Sequence, residues 1–172
     1  MSSRIRIRPV NHGTTKADRN NYCGPSAISS LTGMTTGEAA RLLRATGGRR
    51  AIRGSYTGEM LRALRMCNIN ADCYRHAAQA GRRQTLAAWL KATKDVRGDD
   101  AFLLAAGHHW LLVQGRRYVC GITKEVVPQK HPKVARRAVV TEAYRLTAVP
   151  DRRVARPAAA RRDYEMEYRR AA

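Results

Sequence analysis

The sequence predicts an α+β fold in which N-terminal helices pack on a C-terminal antiparallel sheet. Apolar residues recur at helical spacing between residues 24 and 67, in the first half of the chain. Two continuous apolar runs, residues 101–106 and 110–113, follow in the second half with only Gly-His-His between them. Helices first and paired strands later is the pattern of segregated α+β organisation. A length of 172 residues suits one domain with one extension. Hydrophobic residues make up 44% and aromatic ones 6%, so a core is affordable but must be built from Ala, Leu, Val and Ile.

Taken in order, residues 4–8 alternate Arg and Ile, the period of a half-buried strand, and Pro9 ends it or places it at an edge. Residues 11–22 are polar and turn-rich. Pro25 then suits the first turn of a helix, Ala27, Ile28 and Leu31 share a face, and Gly33 stops the run. Thr35 with Glu38 three residues on is a capping box for a second helix that ends at Gly47-Gly48. Thr57 is the expected N-cap of a third, with Met60, Leu61, Leu64 and Cys67 at helical spacing. Ile69, Ala71 and Cys73 alternate as a strand, and Thr85 caps a helix carrying Leu86, Trp89 and Leu90. The turn at residues 98–100 leads into the two apolar runs, and residues 114–116 turn the chain into 117–120. Residues 126–127, 138–140 and 144–146 are expected to add strands. The domain is expected to span 1–149, with a basic C-terminal extension over 150–172.

The charge is far from balanced: 33 Lys and Arg against 13 Asp and Glu, a formal +20. Such a protein is expected beside a polyanion, nucleic acid or an acidic protein surface. Arg41, Arg44, Arg49, Arg50 and Arg53, together with Arg152, Arg153, Arg161 and Arg162 of the extension, are the candidate contacts. Few aromatics accompany them, so base stacking is not indicated. Cys23, Cys67, Cys73 and Cys120 form no CxxC pair, and His76 and His131 lack zinc spacing with them. No metal or cofactor is expected. No window is apolar for long enough to span a membrane, and the first residues lack a signal-peptide core. Cytoplasmic synthesis with free thiols is the expectation.

Cys23 stands where a polar loop meets a helix N-terminus, in Asn21-Tyr22-Cys23-Gly24-Pro25-Ser26-Ala27-Ile28. The helix dipole favours a thiolate there, and the thiolate is the nucleophile. A histidine of Gly107-His108-His109-Trp110 enters an apolar strand and can face such a terminus, stabilising the thiolate as an ion pair.

Cys23-Gly24-Pro25, the pattern Gly54-Ser55-Tyr56-Thr57-Gly58-Glu59-Met60-Leu61 and the strand from His109 occur in the order that resembles the papain-like cysteine peptidases. The chain is most similar to the bacteriocin-processing, double-glycine leader peptidase branch, in the short forms of bacteria and their phages. The resemblance covers about residues 21–149. It implies a papain-like fold and thiol hydrolysis of a peptide bond, with Cys23 as nucleophile and His109, rather than His108, as its base. It places the orienting Asp or Asn of that family at Cys120, and the oxyanion side chain at Ala17, with Asn20 or Asn21 as substitutes. No Asp or Asn lies between His109 and Asp151.

Two functions follow. One is a cysteine peptidase acting on a peptide or protein substrate. The other is a catalytically impaired papain-fold protein that serves as a structural or binding component, through its basic surface. Charge and resemblance together imply a virion or another nucleoprotein particle as the setting.

Overall fold

The computed structural model describes residues 5–149 apart from 49, 53 and 75–82; the expected contacts Arg49, Arg53, Arg152, Arg153, Arg161 and Arg162 and the extension 150–172 lie outside the described residues. Three helices come first: α1 (Cys23–Thr32), α2 (Thr36–Gly47) and α3 (Thr57–Met66). After β1 (Ile69–Cys73) and the short β2 (Gln84–Thr85) come α4 (Leu86–Ala92) and α5 (Lys94–Arg97). The remainder is β3 (Ala101–Ala106), β4 (His109–Gln114), β5 (Arg117–Cys120), β6 (Val127–Pro128) and β7 (Val139–Ala148). The strands form one antiparallel sheet in the order β1-β7-β3-β4-β5-β6, with β2 also paired to β7. This is the predicted α+β class.

The sheet is covered on both faces, which is why β3 and β4 read as unbroken apolar runs. One face packs Leu103, Leu112, Val119 and Leu146 against Ile28, Leu31, Leu43, Met60 and Leu64 of the three helices. The other packs Phe102, Leu104, Leu111, Val113 and Tyr118 under Leu86 and Trp89 of α4 and Val134 of the loop before β7.

Local signals explain the helix ends. Gly33 and Gly48 take the left-handed conformation at the C-caps of α1 and α2. Thr35 Oγ1 accepts from the Glu38 N–H at 3.2 Å, and Glu38 Oε2 accepts from the Thr35 N–H at 2.8 Å, completing the capping box. Two expectations are corrected. Thr57 is the first residue of α3 rather than its cap; Tyr56 holds the cap position, and its N–H donates to Glu59 Oε2 at 3.1 Å. Thr57 instead donates its hydroxyl to Glu142 of β7, at 2.8 and 2.9 Å from the two carboxylate oxygens. Residues 5–8 form no strand. The Ile7 N–H donates to Gln114 Oε1 at 3.1 Å, Gln114 Nε2 donates to the Ile5 carbonyl at 2.7 Å, and the Arg8 N–H donates to the Ser30 carbonyl. A buried side chain thus does the work of a ladder.

Candidate active site

Cys23 is the first residue of α1, so its own N–H is one of the helix's unpaired donors. The loop that delivers it is fastened to the start of α2 by the fully buried Thr36. Thr36 Oγ1 accepts from the Asn20 N–H at 2.9 Å and donates to the Asp18 carbonyl at 3.1 Å. Gly24 lets the loop before α3 press against α1. A Cβ there would lie 2.7 Å from Ser55 Cβ and 3.3 Å from Leu43 Cδ1. Trp110 of β4 donates Nε1–H to the Ser55 carbonyl at 2.9 Å, tying the sheet to the same point.

The hairpin joining β3 to β4 turns through Gly107 (φ 57°) and His108 (φ 61°). Positive φ at both central residues is the primed turn that matches strand twist. His108 is spent on that turn and stays exposed, whereas His109 opens β4 and is half-buried. The β4–β5 register pairs Leu111 with Cys120. His109 lies two residues before Leu111, so it is the diagonal neighbour of Cys120 on one face. Gly121 lets the end of β5 close on α1: a Cβ there would be 2.9 Å from Ser26 Oγ and 3.8 Å from Cys23 Cα. The chain therefore converges Cys23, His109 and Cys120 from a helix start, a strand start and a strand end.

The three groups perturb one another. Burial pushes the Cys23 thiol up, but hydrogen bonding from His109 and from the Trp110 N–H outweighs it, and the net shift is downward. His109 is raised from 6.5 to about 9, first by hydrogen bonding with Cys120, then with Cys23, against burial. Cys120 is only 2% exposed. Burial raises its pKa, yet His109, Tyr118 and the backbone N–H groups of Thr123 and Ile122 draw it down to about 7. Its sulfur accepts from the Ile122 N–H at 3.4 Å and the Thr123 hydroxyl at 3.9 Å. His109 Nε2 is buried, and among the described residues no protein atom meets it at full hydrogen-bond geometry.

Of the two candidate oxyanion donors, Asn20 is half-buried and its Oδ1 accepts from the Tyr22 N–H at 3.0 Å, one residue from Cys23. Among the described residues its Nδ2 meets no protein acceptor. Asn21 is exposed and makes no side-chain hydrogen bond among the described residues. Three large apolar side chains adjoin, in sequence, the residues gathered here: Tyr22 precedes Cys23, Tyr56 follows Ser55 and Ile122 follows Gly121, with 44%, 71% and 58% exposure. The bond between Ser55 and Trp110 escaped the sequence reading, because nothing in residue order links the loop before α3 to the start of β4. Among the basic residues expected to meet a polyanion, Arg41 and Arg50 are exposed and Arg44 is half-buried. Arg41 lies close enough to Asp18 to help lower that carboxyl. Among the described residues no grouping of three or more His, Cys, Asp or Glu could hold a metal ion, and no helix is long and apolar enough to cross a membrane.

No protein-family model matches the sequence, and no curated protein does. Among solved structures the chain is similar to a double glycine motif protease from an AMS/PCAT transporter, solved in complex with the leader peptide. The identity is 13%, covering 83% of this chain and 99% of that one, with a TM-score of 0.49.

Proposed function

We propose that the protein is a papain-like thiol hydrolase that cleaves a peptide bond. The observation that carries the reading is the convergence of His109, at the start of β4, on Cys23, at the start of α1, which lowers the thiol and raises the imidazole. A thiol drawn down and an imidazole drawn up both favour thiolate with imidazolium, the state that thiol hydrolysis requires. In this reading the Cys23 sulfur attacks the carbonyl carbon and the carbonyl electrons move to oxygen. That oxygen is held by the Cys23 N–H and the Asn20 amide. The carbonyl re-forms, the C–N bond breaks, and the leaving amine takes the proton from His109. His109 then deprotonates water, which attacks the thioester and returns the Cys23 thiolate. The exposed side chain of Tyr22, next to Cys23 in the chain, suits a peptide with an apolar side chain beside the scissile bond.

Cys120 takes the place of the orienting carboxylate in this scheme. A thiol is a poor hydrogen-bond partner, but a thiolate beside an imidazolium supplies the missing negative charge. The lowered pKa of Cys120 supports that role.

The test is labelling of Cys23 by an electrophilic peptide at pH 7, with Cys23→Ala as blank. The expected result is labelling at least about 10-fold slower in His109→Ala, because burial still pushes the thiol up while the imidazole that draws it down is gone. Equal labelling in both proteins would remove the ion pair and favour a non-catalytic protein on this scaffold. Cleavage of a peptide library by the wild type, absent in Cys23→Ala, would establish turnover.

A further inference from the structure

The loop from Gln129 to Ala138 crosses the sheet face opposite α1–α3, and nothing in the hydrolase scheme uses it. It holds Lys130, Lys133, Arg136 and Arg137, all exposed, and His131, half-buried. No Asp or Glu occurs between Glu125 and Glu142. Among the described residues none of the four cations forms an ion pair, in contrast to Arg145, which meets Asp100 at 2.5 Å. Charges left unpaired at this density repel one another, and a compensating partner relieves that cost.

The loop is also built. The Gln129 N–H and Nε2–H donate to the carbonyls of Arg116 and Gly115 at 3.1 and 2.7 Å. Lys133 N–H donates to His131 Nδ1 at 3.2 Å. The carbonyls of Arg136 and Ala138 accept from the N–H groups of Ala87 and Leu86 at the start of α4, and Val134 is buried in the core below. Between these anchors lies a shallow cavity of about 400 Å³, walled by Lys130, His131, Pro132, Arg136 and Arg137 among others. Its lining contains no aromatic residue besides that imidazole and no carboxylate.

We propose that this loop binds the phosphate backbone of duplex nucleic acid, independently of sequence. Fixed cations without acidic neighbours select a polyanion, and a wall without a stacking platform selects backbone over unpaired bases. The formal charge of +20 extends the attraction over the rest of the molecule. This inference does not depend on the hydrolase reading.

The experiment measures anisotropy of a labelled 30-base-pair duplex with the full chain, from 50 to 300 mM salt. The fourfold variant Lys130→Gln/Lys133→Gln/Arg136→Gln/Arg137→Gln is compared with Arg152→Gln/Arg153→Gln/Arg161→Gln/Arg162→Gln. Each phosphate contact contributes about 0.9 to the log–log salt slope and about 8-fold in affinity at 0.1 M salt. The loop variant is expected to lose about two to four units of slope and at least about 60-fold in affinity at 0.1 M. Should it melt early, Lys130→Gln/Lys133→Gln, at two exposed positions, replaces it, with about half the loss. The proposal is overturned if the loop variant binds as the wild type does while the tail variant takes the whole loss. It is also overturned if the wild type fails to bind at 50 mM, or if poly-glutamate of equal charge competes as well as the duplex.

Discussion

Replacing Cys120 with serine changes one atom in the core, yet it should remove the largest single influence on His109. The imidazole stands at about 9 against an ordinary 6.5, and Cys120 is the largest cause, ahead of Cys23. That displacement corresponds to about 3 kcal/mol of preference for the imidazolium. Serine still offers a hydroxyl but cannot ionise in this range, so the largest single contribution to the displacement should go, and the ring of Cys120→Ser is expected to titrate below the wild-type value. The readout is the midpoint of the His109 ring resonances by NMR, assigned with His109→Gln. Stability should follow. A raised His109 pKa contributes stability that is fully present below 6.5 and lost as pH rises through about 9. Cys120, lowered to about 7, contributes stability present above its unfolded value and lost as pH falls through 7. The wild type should therefore exceed Cys120→Ser most clearly between pH 7 and 9, by roughly 1–2 kcal/mol, or several degrees in Tm. A His109 midpoint that stays within a few tenths of the wild-type value would refute the claim that Cys120 holds the ring.

Three further outcomes test the frame around the site. Gly24→Ala should cost about 1–3 kcal/mol by thermal melting, because the new methyl group meets Ser55 and Leu43; an unchanged Tm would mean that the loop before α3 yields freely. Gln114→Leu strands the Ile7 N–H and the carbonyls of Ile5 and Asp99, all bonded within 3.1 Å, and should cost about 2–4 kcal/mol by denaturant titration. Glu142→Gln weakens the acceptor shared by the Thr57 and Tyr144 hydroxyls, at 2.8 and 2.6 Å. It should cost about 1–2 kcal/mol and lower the Tyr144 phenol only part of the way in an ultraviolet titration, because burial is the first cause of its raised pKa and Glu142 the second.

The order of elements was legible because capping is local: Gly33, Thr35 with Glu38, and Thr85 each mark an end through neighbours a few residues away. The preference for His109 over His108 came from the family resemblance, and the turn adds a physical distinction, since His108 takes a positive φ in the hairpin while His109 opens β4. The alternation of residues 5–8 reported correctly that Ile7 is buried and that Arg6 and Arg8 are exposed. It could not report the partner, which is a glutamine more than a hundred residues away. The three short strand signals near the end were partly misleading. Residues 139–148 form one strand because a register shift at Ala105/Ala106 absorbs the irregularity and Thr57 and Tyr144 satisfy Glu142. Counting along the family pattern led to Cys120; only the β4–β5 register gives the reason it matters, by setting its sulfur diagonally beside His109.

The position of β7 has a consequence for the protein's birth. The last strand of the described chain is an interior one, hydrogen-bonded to β1 on one side and β3 on the other. Until residue 148 has left the ribosome, β1 and β3 have no common neighbour and the cradle that sets His109 against α1 is incomplete. At roughly 5–20 residues per second, the cysteine emerges many seconds before the strand that completes its surroundings. Through that interval Cys23 is an ordinary thiol on an unfinished chain, and the surroundings that lower its pKa are complete only once β7 has been made.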